Sequence, residues 1–203
     1  MIDKYKKILP NFYIKKYDSF EEINEIVADI INHEGVVAWH QDEIEWGPRA
    51  LGNRSILVDA RVKEIKDILN SKIKLRESFR PFAASILEEH TCDFFEINNN
   101  KDIFPNMNFV LKAKEITKKN YPAIVHVDGS SRIQTVNKKS NLKFYNLIKR
   151  FYEKFSCPLL LNTSLNIDEP ICESPYDTIK SFGRTRIDCI VLQNYVLLNK
   201  SNH

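Results

Sequence analysis

Pro158-Leu159-Leu160-Leu161-Asn162-Thr163-Ser164-Leu165-Asn166 is the stretch from which the fold is read. The aliphatic run Pro158 to Leu161 suits a short strand buried on both faces. It passes directly into Asn162 to Asn166, where four of the five residues are polar. In open α/β sheets, ligands bind outside the strand ends, so hydroxyls and amides closing an apolar strand mark a place for chemistry. Just upstream, Leu142, Tyr145, Ile148, Phe151, Tyr152 and Phe155 recur at helical spacing and predict an amphipathic helix over 142–155. Just downstream, Ser174 and Pro175 supply an N-cap followed by proline at the first helical position, opening a short helix to Phe182. Strands at Cys189 to Leu192 and Tyr195 to Leu198 close the chain.

Towards the N-terminus the same alternation continues. Asp18 and Ser19 are N-cap candidates, and Glu21 and Glu22 suit a capping box. Phe20, Ile23, Val27, Ile30 and Ile31 mark the helix that follows, and Gly35 ends it. Val36 to Gln41 reads as a buried strand and Glu45 to Ser55 as a loop. A second helix is predicted over 61–74 and a strand over Pro81 to Leu87. Residues 88–105 read as irregular, with the polar run Asn98 to Asn100. Further strands are predicted at Met107 to Ala113, Ala123 to Val127 and Arg132 to Val136. Strands and helices intermix without strict alternation, which predicts a mixed sheet flanked by helices in a single α/β domain. Residues 1–17 read as a lead-in segment and residues 18–203 as the domain.

At 203 residues the chain has the length of one large domain at roughly 100–200 residues per domain. With 43% hydrophobic and 28% charged residues it is an ordinary globular mixture. A net charge of +3 is too weak to point to nucleic acid. No apolar run approaches the ~18 residues of a spanning helix, so no membrane association is expected. Met1 to Pro10 lacks the apolar core of a signal peptide. The four cysteines include no CxxC pair, which argues against thiolate zinc and for a reducing, cytoplasmic compartment. Strand alternation would put His40 and Asp42 on one face, with Glu43 and Glu45 nearby. A solvated strand end explains them better than a metal, and no metal site is assigned.

Lysine outnumbers arginine 21 to 9, so arginine is expected where its planar fork matters. Six of the nine arginines fall between Arg49 and Arg132, beside scarce glycines. Phosphate-loop, dinucleotide-fold and nucleophile-elbow motifs are absent. Four segments stand out instead. Glu45 to Ser55 projects Arg49 and Arg54 from a turn shaped by Gly47, Pro48 and Gly52. Lys74 to Phe82 carries Lys74, Arg76 and Arg80, and Arg80 abuts an apolar strand, where a guanidinium calls for an anionic partner. His126 to Arg132 carries Asp128, Ser130, Ser131 and Arg132. Leu161 to Asn166 carries Asn162, Thr163 and Ser164. Each alone also fits a charged or polar surface turn. Together they suggest one polyanionic ligand, and a nucleoside triphosphate with Mg2+ fits best.

The ordered set EWGPRALGNRSILVD, KLRESFRPFAASILEE, HVDGSSRIQTV and PLLLNTSLN followed by EPI resembles the C-terminal domain of NodU/TobZ-type O-carbamoyltransferases. The resemblance runs from about Phe20 to Leu198, in the family's order. It implies a YrdC-like α/β fold that binds ATP and carbamoyl phosphate and forms carbamoyl-adenylate. A Kae1-like domain, metal-containing in the family, would then pass the carbamoyl group to an acceptor. That domain is not represented in this sequence: either a separate Kae1-like subunit supplies it and is the expected partner, or the chain is a fragment of a longer protein, or it does something else. The resemblance maps Arg49, Lys74, Arg80, Arg132 and Ser164 onto phosphate- and nucleotide-binding positions, with Lys74 and Arg80 in catalytic roles. It implies that Asn162 and Thr163 line the same pocket, and that Arg54 and Arg76 either join it or serve as structural ion-pair partners. One departure is the turn Asn166-Ile167-Asp168-Glu169-Pro170, a residue shorter than usual, with Asp168 where the family carries glycine. The competing readings are a non-catalytic nucleotide- or RNA-binding module and a regulatory subunit with a decayed site.

Overall fold

The computed structural model describes residues 9–97, 103–183, 185 and 187–200. Among them nine strands form one mixed sheet. They are β1 (Phe12–Lys16), β2 (Val37–His40), β3 (Arg54–Val58), β4 (Ala83–Leu87), β5 (Phe109–Lys112), β6 (Ser130–Val136), β7 (Leu159–Ser164), β8 (Cys189–Leu192) and β9 (Tyr195–Asn199). Their order across the sheet is β1-β9-β8-β2-β3-β7-β4-β6-β5. β2 with β8 and β4 with β6 pair parallel; all other neighbours are antiparallel. Every residue of β2, β3, β4 and β8 is buried, as strands covered on both faces require.

The longest helices are α1 (Phe20–Asn32) and α5 (Leu142–Phe155), which pack on each other. Ser19 caps α1 by accepting a hydrogen bond from the Glu21 amide at 3.1 Å, and Asn141 caps α5 through the Phe144 amide at 3.0 Å. Ile23, Val27 and Ile31 of α1 and Phe144, Leu147, Ile148 and Phe151 of α5 are buried at helical spacing. Short helices α2 (Ile65–Ile68), α3 (Thr91–Phe94) and α4 (Glu115–Asn120) fill the connections, and α6 (Pro175–Phe182) opens on a complete capping box between Ser174 and Asp177.

Several expectations are corrected. The predicted lead-in contains edge strand β1, paired antiparallel with β9. β3 overlaps the end of the expected loop at Arg54 and Ser55 and continues through residues that the sequence reading left unassigned; five buried residues, Arg54–Val58, pair with both β2 and β7. The predicted helix over 61–74 is α2 continued by a π-helical turn at Leu69–Ile73, which widens the backbone before Lys74. Ala123 to Val127 is not a strand: Pro122–Ile124 form a 3-10 turn and Val127 is fully exposed. The irregular 88–105 segment includes a 3-10 turn at Glu88–His90 and α3. The run Asn98 to Asn100 lies outside the described residues.

Two buried polar devices hold the loops over the sheet. The Arg54 side chain is only 4% exposed, and all its N–H groups meet backbone carbonyls. Its Nε donates to Cys172 O, Nη1 to Gln41 O and Asn53 O, and Nη2 to Asp42 O and Glu173 O, at 2.5 to 3.2 Å. It therefore ties the loop before β3 to the loop after β7. The second device is a row of amides. Asn162 Nδ2 donates to Ala50 O at 3.1 Å and Ser85 Oγ at 2.9 Å, while Gln134 Nε2 donates to Leu51 O at 2.8 Å. Gly52 completes the seating: at φ +107° it lies so close to α5 that a Cβ would fall 2.2 Å from Phe144 Cδ1.

Arg54→Met would take a donor from five carbonyls, of which Asn53 O keeps the Gln41 amide. Its expected cost is at least about 3 kcal/mol, read as a lowered Tm in thermal denaturation. Gly52→Ala is expected to lower Tm as well, since both its φ and Phe144 oppose a side chain.

Candidate functional site

The antiparallel and parallel pairings bring one end of four central strands together. Ser164, at the C-terminal end of β7, lies opposite Ser55 near the start of β3. Ala83, the first residue of β4, is flanked by Asn162 of β7 and Arg132 of β6. The loops entering β3, β4 and β6 and the loop leaving β7 thus open at the same sheet end. They are the four segments singled out in the sequence.

Lys74 anchors this end through its hydrogen bonds. It is 4% exposed, and its Nζ donates to Asn166 O at 2.6 Å, Asn166 Oδ1 at 2.7 Å and Ser164 O at 2.9 Å, with Ser164 Oγ at 3.4 Å. All these acceptors are neutral. Burial, then the positive charges of Arg76 and Arg80, push the Lys74 ammonium down from its ordinary value to about 7. The pull of Glu169 in the other direction is the weakest of the effects.

The guanidiniums form a connected row. Arg76 donates from Nε to Asn70 Oδ1 at 2.7 Å, and its guanidinium lies over the Phe82 ring, 4.6 Å from the centroid. Burial lowers its proton affinity, as do Arg80 and Arg132. Arg132 is lowered by burial and by Arg49. Lys74, Arg80, Arg76, Arg132 and Arg49 therefore act on one another, and among the described residues none makes a salt bridge. Arg76 Nη2 and Arg132 Nε are buried donors without a hydrogen-bond partner. Buried donors normally have one, so orphaned guanidinium N–H groups in a cation cluster on which Glu77 and Glu169 act only as the weakest effects describe a candidate site for an anion.

Each expected site residue has a place. Lys74, Arg132 and Ser164 belong to the cluster, and Arg49 reaches it from an exposed arch. Arg80 joins it electrostatically, but the anionic partner expected for it is absent among the described residues, because its side chain is exposed rather than buried against β4. Arg54 does not join: its donors are consumed by carbonyls. Asn162 is buried beneath the arch and holds Ala50, acting through the loop rather than on a ligand. Thr163 alternates to the opposite face of β7 from Asn162 and Ser164. His40, considered for metal, is buried against Thr178 Oγ1 at 2.8 Å and held near a pKa of about 3 by burial and Arg54, while Asp42 pairs with Lys143. No group of three potential metal ligands converges among the described residues.

Arg76, left open by the sequence reading, is a member of the row. Asn166 gains a role that the sequence reading did not assign, as its organiser: Oδ1 accepts from Lys74 and from Ser164 Oγ at 2.6 Å, and Nδ2 donates to Glu169 O at 2.6 Å, closing the shortened turn. The available signal was spacing, with Arg76 two residues after Lys74 and Asn166 two after Ser164. Glu45 fixes the other wall, its Oε1 accepting from the Leu51, Asn53 and Arg54 amides at 2.6 to 3.1 Å.

Comparison with known proteins agrees with this architecture. The chain is 43% identical over 178 residues to nodulation protein NolO of Bradyrhizobium diazoefficiens, covering 87% of this chain and 32% of that protein. The chain thus spans about a third of the length of the curated relatives it matches. Among solved structures, P. abyssi Sua5 complexed with L-threonine superposes with a TM-score of 0.59 at 16% identity, over 86% of this chain and 47% of that one. Full-length HypF in its phosphate- and nucleotide-bound form gives 0.52 at 14% identity, over 93% of this chain and 22% of that one. These likenesses establish the YrdC-like fold expected from the sequence. The family model for the carbamoyltransferase C-terminus matches residues 28–199, and the chain belongs to that family.

Proposed function

We propose that this domain activates a carbamoyl group with ATP: it takes carbamoyl phosphate and ATP to carbamoyl-adenylate, for delivery to an acceptor by a Kae1-like partner. The observation that carries the reading is the row of five cations, with two orphaned guanidinium donors and no carboxylate partner among the described residues. Membership of the carbamoyltransferase family supports the carbamoyl chemistry, and a HypF structure of the same fold is described as phosphate- and nucleotide-bound.

In this reading water first releases carbamate and inorganic phosphate from carbamoyl phosphate. A carbamate oxygen then attacks the α-phosphorus of ATP, and the bond to the bridging oxygen breaks with departure of pyrophosphate. Negative charge develops on the phosphate oxygens in that step, and fixed cations aimed at it lower the barrier. Arg132 and Arg76 offer the unpartnered donors. On binding, the Ser164 hydroxyl exchanges Asn166 Oδ1 for a phosphate oxygen as its acceptor, and Lys74 places positive charge beside it. Mg2+ would arrive on the triphosphate and neutralise part of its charge; the cation row fits the phosphate oxygens left over.

The first test is carbamoyl-phosphate-dependent release of AMP and pyrophosphate from ATP by this chain, alone and with a Kae1-like partner. No release in either case, with ATP binding retained, would sink the catalytic reading in favour of a nucleotide-binding module. Arg132→Met is expected to abolish release while Tm stays level or rises, because it removes a half-buried charge that lacks an ionic partner. Lys74→Met is expected to abolish release and to lower Tm, because Ser164 O, Asn166 O and Asn166 Oδ1 lose their donor. A fall in Tm in Arg132→Met matching its loss of activity would instead mark Arg132 as structural.

Proton linkage gives a further test. Free Lys74 is neutral above about pH 7, and a bound polyanion restores its charge. Binding of tripolyphosphate at pH 8 is therefore expected to take up a proton, and affinity to fall as pH rises from about 7 towards 10. Calorimetry in buffers of different ionisation enthalpy measures the uptake. In the free protein the sign for folding is the reverse: the unfolded chain holds the Lys74 proton longer, so stability contributed by this group rises with pH over the same window.

A further inference from the structure

The loop that carries Arg49 has its two feet pinned and its crown free. Glu45 is tied through Oε1 to the Leu51, Asn53 and Arg54 amides, and Ala50 is buried with its carbonyl held by Asn162. Between them Trp46, Gly47, Pro48 and Arg49 project into solvent. Gly47 stands at φ +95° with open space where a Cβ would lie, so nothing of the protein packs on this crown at that point. Trp46 and Arg49 flank the Gly47-Pro48 bend as its first and fourth residues.

Trp46 is 100% exposed, whereas the other tryptophan, Trp39, is completely buried with its Nε1 donating to Gly52 O at 2.9 Å. A bare indole forgoes the burial its apolar surface favours, and among the described residues nothing covers it. It shares the crown with Arg49, which acts on Arg132. The foot that follows the crown, Ala50 and Leu51, is held by Asn162 of β7 and Gln134 of β6, the strands that carry Ser164 and Arg132, so the crown stands at the strand ends that would take the phosphates.

We propose that Trp46 is the platform on which the base of the bound nucleotide stacks. This rests on the nucleotide-binding reading above and adds what recognises the nucleoside half of the ligand. A stacking indole offers a π face to any base and selects nucleotides over bare polyphosphate.

The experiment compares ATP with inorganic tripolyphosphate. With excitation of tryptophan alone, ATP is expected to quench the Trp46 emission and tripolyphosphate to leave it unchanged. A Trp46→Phe variant, which retains only Trp39, provides the baseline. Trp46→Ala is expected to weaken ATP binding roughly five- to a hundred-fold and to leave tripolyphosphate binding intact, with Trp46→Phe recovering most of the loss. Equal weakening for both ligands would overturn the proposal, because Trp46 would then act only by shaping the Arg49 arch. Unchanged affinity for both would overturn it too, leaving Trp46 to a different surface role. If the wild-type chain bound neither ligand, the nucleotide reading itself would fall, and the platform with it. A thermal melt of Trp46→Ala, expected to match the wild type, separates these outcomes from misfolding.

Discussion

Like charges held close together without an ion-paired carboxylate among the described residues are the constraint around which the rest of the molecule is arranged. Lys74, Arg76, Arg80, Arg132 and Arg49 raise one another's energy, and three of them are largely withdrawn from water as well. Such a cluster persists only where the surrounding fold fixes it from several directions at once. Here the sheet supplies the anchoring: β4, β6 and β7 pair in register so that Ala83 sits between Asn162 and Arg132. The neutral oxygens of Ser164 and Asn166 then hold Lys74 without cancelling its charge. A carboxylate in their place would stabilise the apoprotein and occupy the site that a ligand needs. Stability withheld in this way is a common property of binding sites, where function and folding make opposed demands on the same groups.

The supporting layer divides its work. Arg54 gives up every donor to carbonyls of two loops, so the loops bearing Arg49 and Asn166 are fastened to one buried guanidinium. The Ser85, Gln134 and Asn162 row does the same for the backbone of Ala50 and Leu51. Among the arginines, chemistry and architecture thus use the same side chain in opposite ways. An arginine whose fork is filled by the protein is a brace. An arginine whose N–H groups are buried and unfilled is prepared for something from outside.

The sequence carried much of this because scarce residues cluster. In a chain that prefers lysine, arginines beside the few glycines pointed to Arg49 and Arg132, and the apolar run Leu159 to Leu161 announced where a strand would deliver Ser164. It misled where two structures share one local pattern. Arg54 and Arg49 lie in the same motif, and nothing in their spacing says that one turns inward to carbonyls and the other outward. The strand Arg54–Val58 escapes the sequence reading because the glycine-rich turn absorbs its first two residues and leaves only the short apolar run Ile56 to Val58. Asn166 looked like turn polarity, since its bonds to Lys74 span 92 residues of chain.

By itself, then, the sequence determined the local and compositional features: the amphipathic helices α1 and α5, the apolar strands, the mixed α/β class, and the four motifs whose ordered set marks the carbamoyltransferase C-terminal family. These depend on periodicity and on residue type, which are written along the chain. Only the tertiary structure decided which cations face one another, which hydroxyl and amide hold Lys74, and which arginine is spent as a brace. Those outcomes depend on strand order and register, on contacts between residues far apart in the chain, and on burial. Burial is what turns a lysine's charge, or a guanidinium's unmet hydrogen bond, from a surface detail into a force that shapes what the site can hold.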